Sequence, residues 1–254
     1  MSGISFILRV RDEESSLEKS IRSLFGLTIP YEIVVILHCC TDGSPQIAAR
    51  LAEENQRIRV VTYDHALSRA GYETLATDVT SVHSLSHYYT YCFSLKKYAW
   101  SFKWDADFIA TDELIAFLNS KSWAPESALY RISASNSTSN NIEGYLSGCT
   151  HYYLKYMFWE VPFYEWGYTT YTVDPSIYIR HESELADLKS YWKADPWYLT
   201  EDTEEATIVR SRIERLRHDF GDEPEGMARA SNPICNDFQL RIMATAPTYV
   251  NVRS

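Results

Sequence analysis

The first sixty residues alternate between two hydrophobic periods, and this alternation constrains the fold more than any other feature of the chain. Ile4 to Val10 is a short apolar run rich in β-branched residues and reads as a buried strand. Leu17, Ile21 and Leu24 then recur at helical spacing across Ser15 to Phe25, with Ser15 and Glu18 in a capping-box pattern and Gly26 as the stop. Glu32 to Leu37 (EIVVIL) is a second buried strand. After the turn Thr41-Asp42-Gly43, Ser44 and Pro45 suit the N-cap and first position of a helix running to about Asn55. Ile58 to Tyr63 is a third strand. Continuous apolar strands separated by amphipathic helices predict a parallel sheet covered by helices on both faces. In such sheets, ligands bind beyond the carboxyl ends of the strands.

The pattern continues less regularly. Val79 to Tyr98 reads as a helix with Val82, Leu85, Tyr89 and Phe93 on one face. Ala99 to Trp104 is strand-like and runs into Asp105-Ala106-Asp107; Thr111 caps a helix that carries Asp112 and Glu113 in its first turn. Leu129 to Ala134 and Ile177 to Arg180 read as strands, the latter ending at His181. Residues 145 to 171 are crowded with Tyr, Trp and Phe, whose faces pack on sugar C–H groups as readily as they build an ordinary core. Thr200 to Phe220 is a helix with an acidic start and a basic end. Its Arg210, Arg212, Arg215 and Arg217 read first as a solvated face that complements the helix dipole, with docking to an anionic membrane or partner as the alternative.

Charge and cysteine usage narrow the function. A formal net charge of −10 over 254 residues argues against nucleic-acid binding, which needs a basic surface. The five cysteines (Cys39, Cys40, Cys92, Cys149, Cys235) contain no CxxC pair and fit free thiols in a reducing compartment. No window is apolar enough to cross a membrane, and MSGISFILRV lacks a signal-peptide layout, so the expected location is cytoplasmic, with peripheral membrane contact open. Asn136-Ser137-Thr138 is accordingly read as a chance match to a glycosylation site.

Asp105 and Asp107 flank one small residue at a predicted strand end, where alternate residues point to one side. Two such carboxylates can share a hard divalent cation, or divide a cation and a sugar hydroxyl between them; a solvated turn is the competing reading. His83 and His87, one helical turn apart, read as a structural helix face, since no further Cys/His set accompanies them.

Three ordered segments together resemble one family. ISFILRVRDEESSLEKSIRSL, with Asp12-Glu13-Glu14 at its turn, then EIVVILHCCTDGSPQIA from Glu32 to Ala48, then KWDADFIATDEL, resemble the corresponding segments of the GT-A-fold glycosyltransferases, particularly the inverting family 2 type. The likeness covers residues 3–135 well and 136–190 loosely. It implies an α/β, Rossmann-like nucleotide-sugar fold with a mostly parallel central sheet. It also implies a catalytic domain over 1–195, with a nucleotide-binding half 1–110 and an acceptor half 111–195, leaving 196–254 as a C-terminal helical extension.

The resemblance further implies a site. Val10, Arg11 and Glu13 fall where the family contacts nucleotide, and Arg69 and Gly71 where it often has a donor-side segment. Asp107 is implied as the metal ligand, Asp105 as a contact to ribose, donor sugar or metal, and His181 as a further ligand. The expected cofactor is Mn²⁺ or Mg²⁺, and the expected partners are a nucleoside-diphosphate sugar, UDP-linked by preference, and a carbohydrate acceptor. The family's adjacent Asp pair is replaced by Leu37-His38, so His38 either reads the base through its imidazole or is a satisfied turn residue. Asp42 reads as a turn residue. Inversion needs a general base: Glu165 is first choice, with Glu143, Glu160 and Asp174 as rivals. The expected activity is metal-dependent, inverting sugar transfer. The alternatives are a nucleotidyltransferase making nucleotide sugars, although RVRDEES lacks the Gly-rich basic loop that chemistry uses, and a non-catalytic sugar- or nucleotide-binding relative.

Overall fold

The computed structural model describes residues 3–69, 71–120, 128–135, 142–147, 151–156, 159–164, 169–172, 176–181 and 195–221. Its strands are β1 (Ile4–Val10), β2 (Tyr31–His38), β3 (Ile58–Tyr63), β4 (Trp100–Asp105), β5 (Phe108–Ala110), β6 (Ala128–Ser135), β7 (Ile142–Ser147), β8 (His151–Tyr156), β9 (Trp159–Tyr164), β10 (Thr169–Thr172) and β11 (Ile179–His181). The helices are α1 (Leu17–Ser23), α2 (Ser44–Glu54), α3 (Tyr72–Ala76), α4 (Leu85–Ser94), α5 (Asp112–Asn119), α6 (Trp197–Thr200) and α7 (Glu204–Phe220).

β1 runs parallel to both its neighbours, β2 and β4, and β3 adds in parallel outside β2. The sheet then becomes mixed: β7 is antiparallel to β4 and β6, β10 and β11 pair with β6 in parallel, and β5 lies antiparallel on β11. The order is β3-β2-β1-β4-β7-β6-β11-β5, with β8 and β9 forming a separate two-stranded sheet. Chain connectivity reverses between β2 and β4 across β1, the topological switch at which open α/β sheets bind ligands. The chain forms two compact units. One comprises residues 1–65, 91–151 and 164–189 and holds the large sheet; the other comprises 66–90, 152–163 and 190–254.

In the first unit, period-2 alternation gives the parallel strands two unlike faces. One face is apolar: Ile4, Phe6, Leu8 and Val10 of β1, Ile33 and Val35 of β2 and Phe102 and Trp104 of β4 pack with Leu17 and Ile21 of α1, Leu51 of α2 and Leu114 of α5. Phe6, Phe102, Trp104 and Phe108 form a chain of aromatic contacts with ring centroids 5.2–5.7 Å apart. Such pairs add about 0.5–1.5 kcal/mol beyond their area burial. The opposite face is also apolar at its centre, with Ile7, Val34 and Ile36 fully buried, and carries Ser5 and Glu32 at the amino ends and Arg9, His38, Lys103 and Asp105 at the carboxyl ends.

In the second unit, Tyr72, Ala76, Trp197, Tyr198, Ala206, Val209 and Ile213 form the core. His83 lies flat on Trp197, with ring centroids 3.7 Å apart, and its Nδ1 is 2.7 Å from the Ala66 carbonyl oxygen. His83 precedes α4, so it and His87 do not share a helix face; His83 is a packing residue. Of the expected basic face, Arg210 donates to the carbonyls of Tyr198 in α6 and Glu201 just after it, and Arg212 donates to the Ala76 carbonyl that ends α3. Both guanidiniums therefore satisfy carbonyls that a helix end leaves open. No helix among the described residues is long and apolar enough to cross a membrane.

Candidate nucleotide-sugar site

The carboxyl edge of the parallel strands gathers most of the predicted donor-side residues of the first unit. Val10 ends β1, His38 ends β2 and Asp105 ends β4, with Leu37 in register with Val10 and Arg9 with Asp105. Helix α1 fixes the β4 end. Trp104 is fully buried and its indole N–H donates to Ser20 Oγ at 2.9 Å, while Ala110 N–H donates to Ser23 Oγ at 2.9 Å. Two serines three residues apart on one helix thus hold both sides of the turn that carries Asp105 and Asp107.

Asp105 is an ion-pair hub. Arg9 Nη2 donates to its Oδ1 at 2.9 Å and Lys103 Nζ to its Oδ2 at 2.7 Å. Burial alone raises a carboxyl pKa, but Lys103 and Arg9 outweigh it and pull Asp105 down to about 2. Asp105 is therefore ionised at neutral pH with each oxygen engaged by a cation. Asp107 occupies the two-residue turn between β4 and β5 and is half-buried. The antiparallel register pairs His181 with Phe108, the residue next to Asp107. Strand pairing thus brings residues 107 and 181, far apart in sequence, to one end of the sheet.

The two loops that border this edge are laced together. Thr41 N–H donates to Asp12 Oδ1 at 2.6 Å, Glu14 N–H to Asp42 Oδ2 at 2.8 Å, Gly43 N–H to Glu14 Oε2 at 2.9 Å and Glu13 N–H to Ser44 Oγ at 2.8 Å. Among the described residues, Asp12 (φ 55°) and Cys39 (φ 45°) are the non-glycine residues in the left-handed region, one in each loop. Such strain persists where surrounding bonds over-determine the backbone. Asp42 Oδ1 also accepts from Ser44 N–H at 2.9 Å, so Asp42 is a turn and helix-start residue. Asp12, Cys40 and Asp42 place ligand atoms within 4.8 Å of one another, yet both carboxylates are already serving backbone N–H groups.

His38 is 4% exposed, and its Nε2 lies 3.1 Å from the His65 carbonyl oxygen. Burial and then the Arg11 charge push its pKa to about 4. It is neutral at pH 7, donates from Nε2 and carries its acceptor lone pair on Nδ1. Of the remaining predicted residues, Arg69 and Gly71 belong to the second unit. Arg69 is bound to Glu73 through its side chain and its backbone N–H, and Gly71 takes φ 104° ahead of α3. Glu13 accepts from Ser16 Oγ at 2.9 Å. Glu143 lies in β7 and Glu160 in β9, while Glu165 and Asp174 lie outside the described residues. Arg9 and Lys103 were not anticipated. Their role depends on β1 and β4 being neighbours, a long-range pairing that no local pattern encodes.

No protein-family model matches the sequence, and no curated protein matches it. Solved structures do. The S. aureus TarS 1–349 structure in complex with UDP-GlcNAc superposes with a TM-score of 0.52 at 11% identity, covering 96% of this chain and 80% of that one. The mannosyltransferase PcManGT from Pyrobaculum calidifontis, in complex with GDP-Man and Mn²⁺, gives a TM-score of 0.50 at 13% identity over 97% and 76% of the two chains. The fold is that of the GT-A glycosyltransferases. A UDP complex of the same TarS segment aligns over only 55% of this chain and 38% of its own, with a TM-score of 0.40.

Proposed function

We propose that the chain is a metal-dependent, inverting glycosyltransferase that moves a sugar from a nucleoside-diphosphate donor to a carbohydrate hydroxyl. The observation that carries the reading is the convergence of Asp105, the Asp107 turn and His181 at the carboxyl edge of a GT-A sheet. The cation expected is Mn²⁺ or Mg²⁺. A carboxylate at Asp107 and an imidazole at His181 suit a divalent ion, while Asp105 is committed to Arg9 and Lys103. When bound, the ion supplies charge stabilisation to the departing diphosphate. The chain's own cations add to this: Arg9 and Lys103 concentrate positive charge at the same strand ends, and Asp105 holds them in place.

Val10, Arg11, Glu13 and His38 border the nucleotide, with Leu37-His38 standing where the family's carboxylate pair is expected, and the donor is UDP-linked by preference. Glu165 is the general base, with Glu143, Glu160 and Asp174 as rivals. Domain 1–195 is catalytic and 196–254 is its C-terminal extension. The cytoplasm is the proposed location.

The test is nucleoside-diphosphate release from UDP- and GDP-sugars in the presence of Mn²⁺, Mg²⁺ or chelator. Metal-dependent release that Asp107→Ala removes supports the reading. Pyrophosphate release from a sugar phosphate and a nucleoside triphosphate would instead establish a nucleotidyltransferase. Binding of nucleotide sugar without turnover on any acceptor would establish a binding relative.

A further inference from the structure

The amino-terminal edge of the same sheet carries a second cleft that the reading above does not use. It has a volume of about 560 Å³ and is lined in part by Tyr31, Glu32, Arg57, Arg59, Lys97 and Tyr98. Tyr31 opens β2 and His38 closes it. Eight residues at roughly 3.3 Å each separate the cleft from the carboxyl edge by about 25 Å, too far for one donor molecule to span as a shared site.

The charge in this cleft is unlike that of the chain. The protein carries a net charge of −10, yet three cations converge here with one carboxylate. That carboxylate is spent inward: Glu32 Oε1 accepts from Ser5 Oγ–H and from Lys97 N–H, both at 2.6 Å, and Oε2 faces Arg59 at 3.6 Å. Among the described residues no carboxylate pairs with the side chain of Arg57 or Lys97. Both are held instead by aromatic faces. Arg57 Cζ stands 4.6 Å from the Tyr31 ring centroid and Lys97 Nζ 5.3 Å from that of Tyr98. A cation held over a ring keeps its charge and its N–H donors for another partner. A planar guanidinium beside a point-charge ammonium is the combination that grips phosphoryl oxygens. The cleft volume suits a ligand of nucleotide or sugar-phosphate size.

We infer that this cleft is a second, metal-independent binding site for a small phosphate-bearing ligand, held by Arg57 and Lys97 with Arg59 in support. The inference does not rest on the donor site and survives if the transferase reading fails.

The test is calorimetry of the full chain in chelator, with inorganic pyrophosphate as the probe. Wild type binds it, and Arg57→Gln/Lys97→Gln loses at least tenfold in affinity while keeping its circular dichroism spectrum and melting temperature. Arg57→Lys, which keeps a cation over Tyr31 but loses the planar fork, weakens pyrophosphate binding by a few-fold and covers the case in which the double variant folds poorly: unchanged affinity in it overturns the site. Asp107→Ala leaves this binding unchanged. Absence of pyrophosphate binding in wild type, or equal binding by wild type and the folded double variant, overturns the site. Retention on phosphatidylglycerol vesicles without pyrophosphate binding would assign the cations to a lipid surface and overturn it as well.

Discussion

Lowering the pH should unfold this protein partly through one residue, His38. In the folded chain it is almost fully buried, neutral, and held at the His65 carbonyl, with a pKa pushed to about 4 against an ordinary 6.5. The folded state therefore prefers the unprotonated ring, and the unfolded state takes up the proton first. The contribution is fully present above pH 6.5 and is lost as pH falls toward 4. At 1.36 kcal/mol per pKa unit the whole loss is about 3 kcal/mol, of which about 2 kcal/mol is gone by pH 5. His38→Gln keeps an N–H that can reach the His65 carbonyl but cannot titrate. Urea denaturation of both proteins from pH 7.5 to pH 5 measures the effect, since the other six histidines titrate equally in each. Wild type should lose about 2 kcal/mol more than the variant over that range. Parallel stability curves would refute the reasoning, and with it the neutral, Nε2-donating assignment of the ring at the nucleotide edge.

Three further outcomes follow from the same geometry. Ser20→Ala should cost about 1–3 kcal/mol, because it leaves the buried Trp104 N–H without its acceptor, and should raise the KM for donor by loosening the turn that carries Asp107; denaturant midpoints and initial rates check both. His38→Ala should weaken nucleotide binding less than Asp107→Ala weakens metal-supported binding, and calorimetry on the two variants would show the reverse order if the base were read chiefly by this ring. Glu165→Gln should leave donor binding intact and lower kcat by about two to four orders of magnitude, with NMR of the product showing an inverted anomeric centre; unchanged kcat moves the base to Glu143, Glu160 or Asp174.

The parallel half of the fold was legible because β1 and β2 are largely apolar runs, β3 is rich in β-branched residues, and α1 and α2 carry one apolar stripe each. Helix starts were less legible, because short polar side chains choose among several nearby donors. Helix α1 begins at Leu17, not Ser15: Ser16 Oγ bonds Glu13, and the expected capping partner Glu18 is drawn to Arg22 and Arg50. Helix α2 begins at Ser44, with Gly43 as its cap and Asp42 bonding Ser44 N–H. Thr111, by contrast, caps α5 as expected.

The helix expected from Val79 shortens to Leu85–Ser94, since Asp78 and Ser81 bond backbone N–H groups of Thr80 and His83 and hold residues 78–84 in turns. The C-terminal helix begins later than expected, at Glu204, because Thr203 accepts from Ala206 N–H and starts a new helix after α6. At the site, Asp105 and Asp107 could be found from strand-end position, but the clamp of Arg9 and Lys103 could not. It needs β1 beside β4, which only the folded sheet supplies.

On the proposed function, the carboxyl edge of this sheet binds a nucleoside diphosphate with the help of a divalent cation held at Asp107. Calorimetric titration of UDP and GDP into wild type and Asp107→Ala, each with Mn²⁺ and with chelator, tests it most directly. Binding to wild type should strengthen at least tenfold with Mn²⁺, and Asp107→Ala should lose that gain. Equal affinities in all four conditions, or no binding of either nucleotide in Mn²⁺, would contradict it.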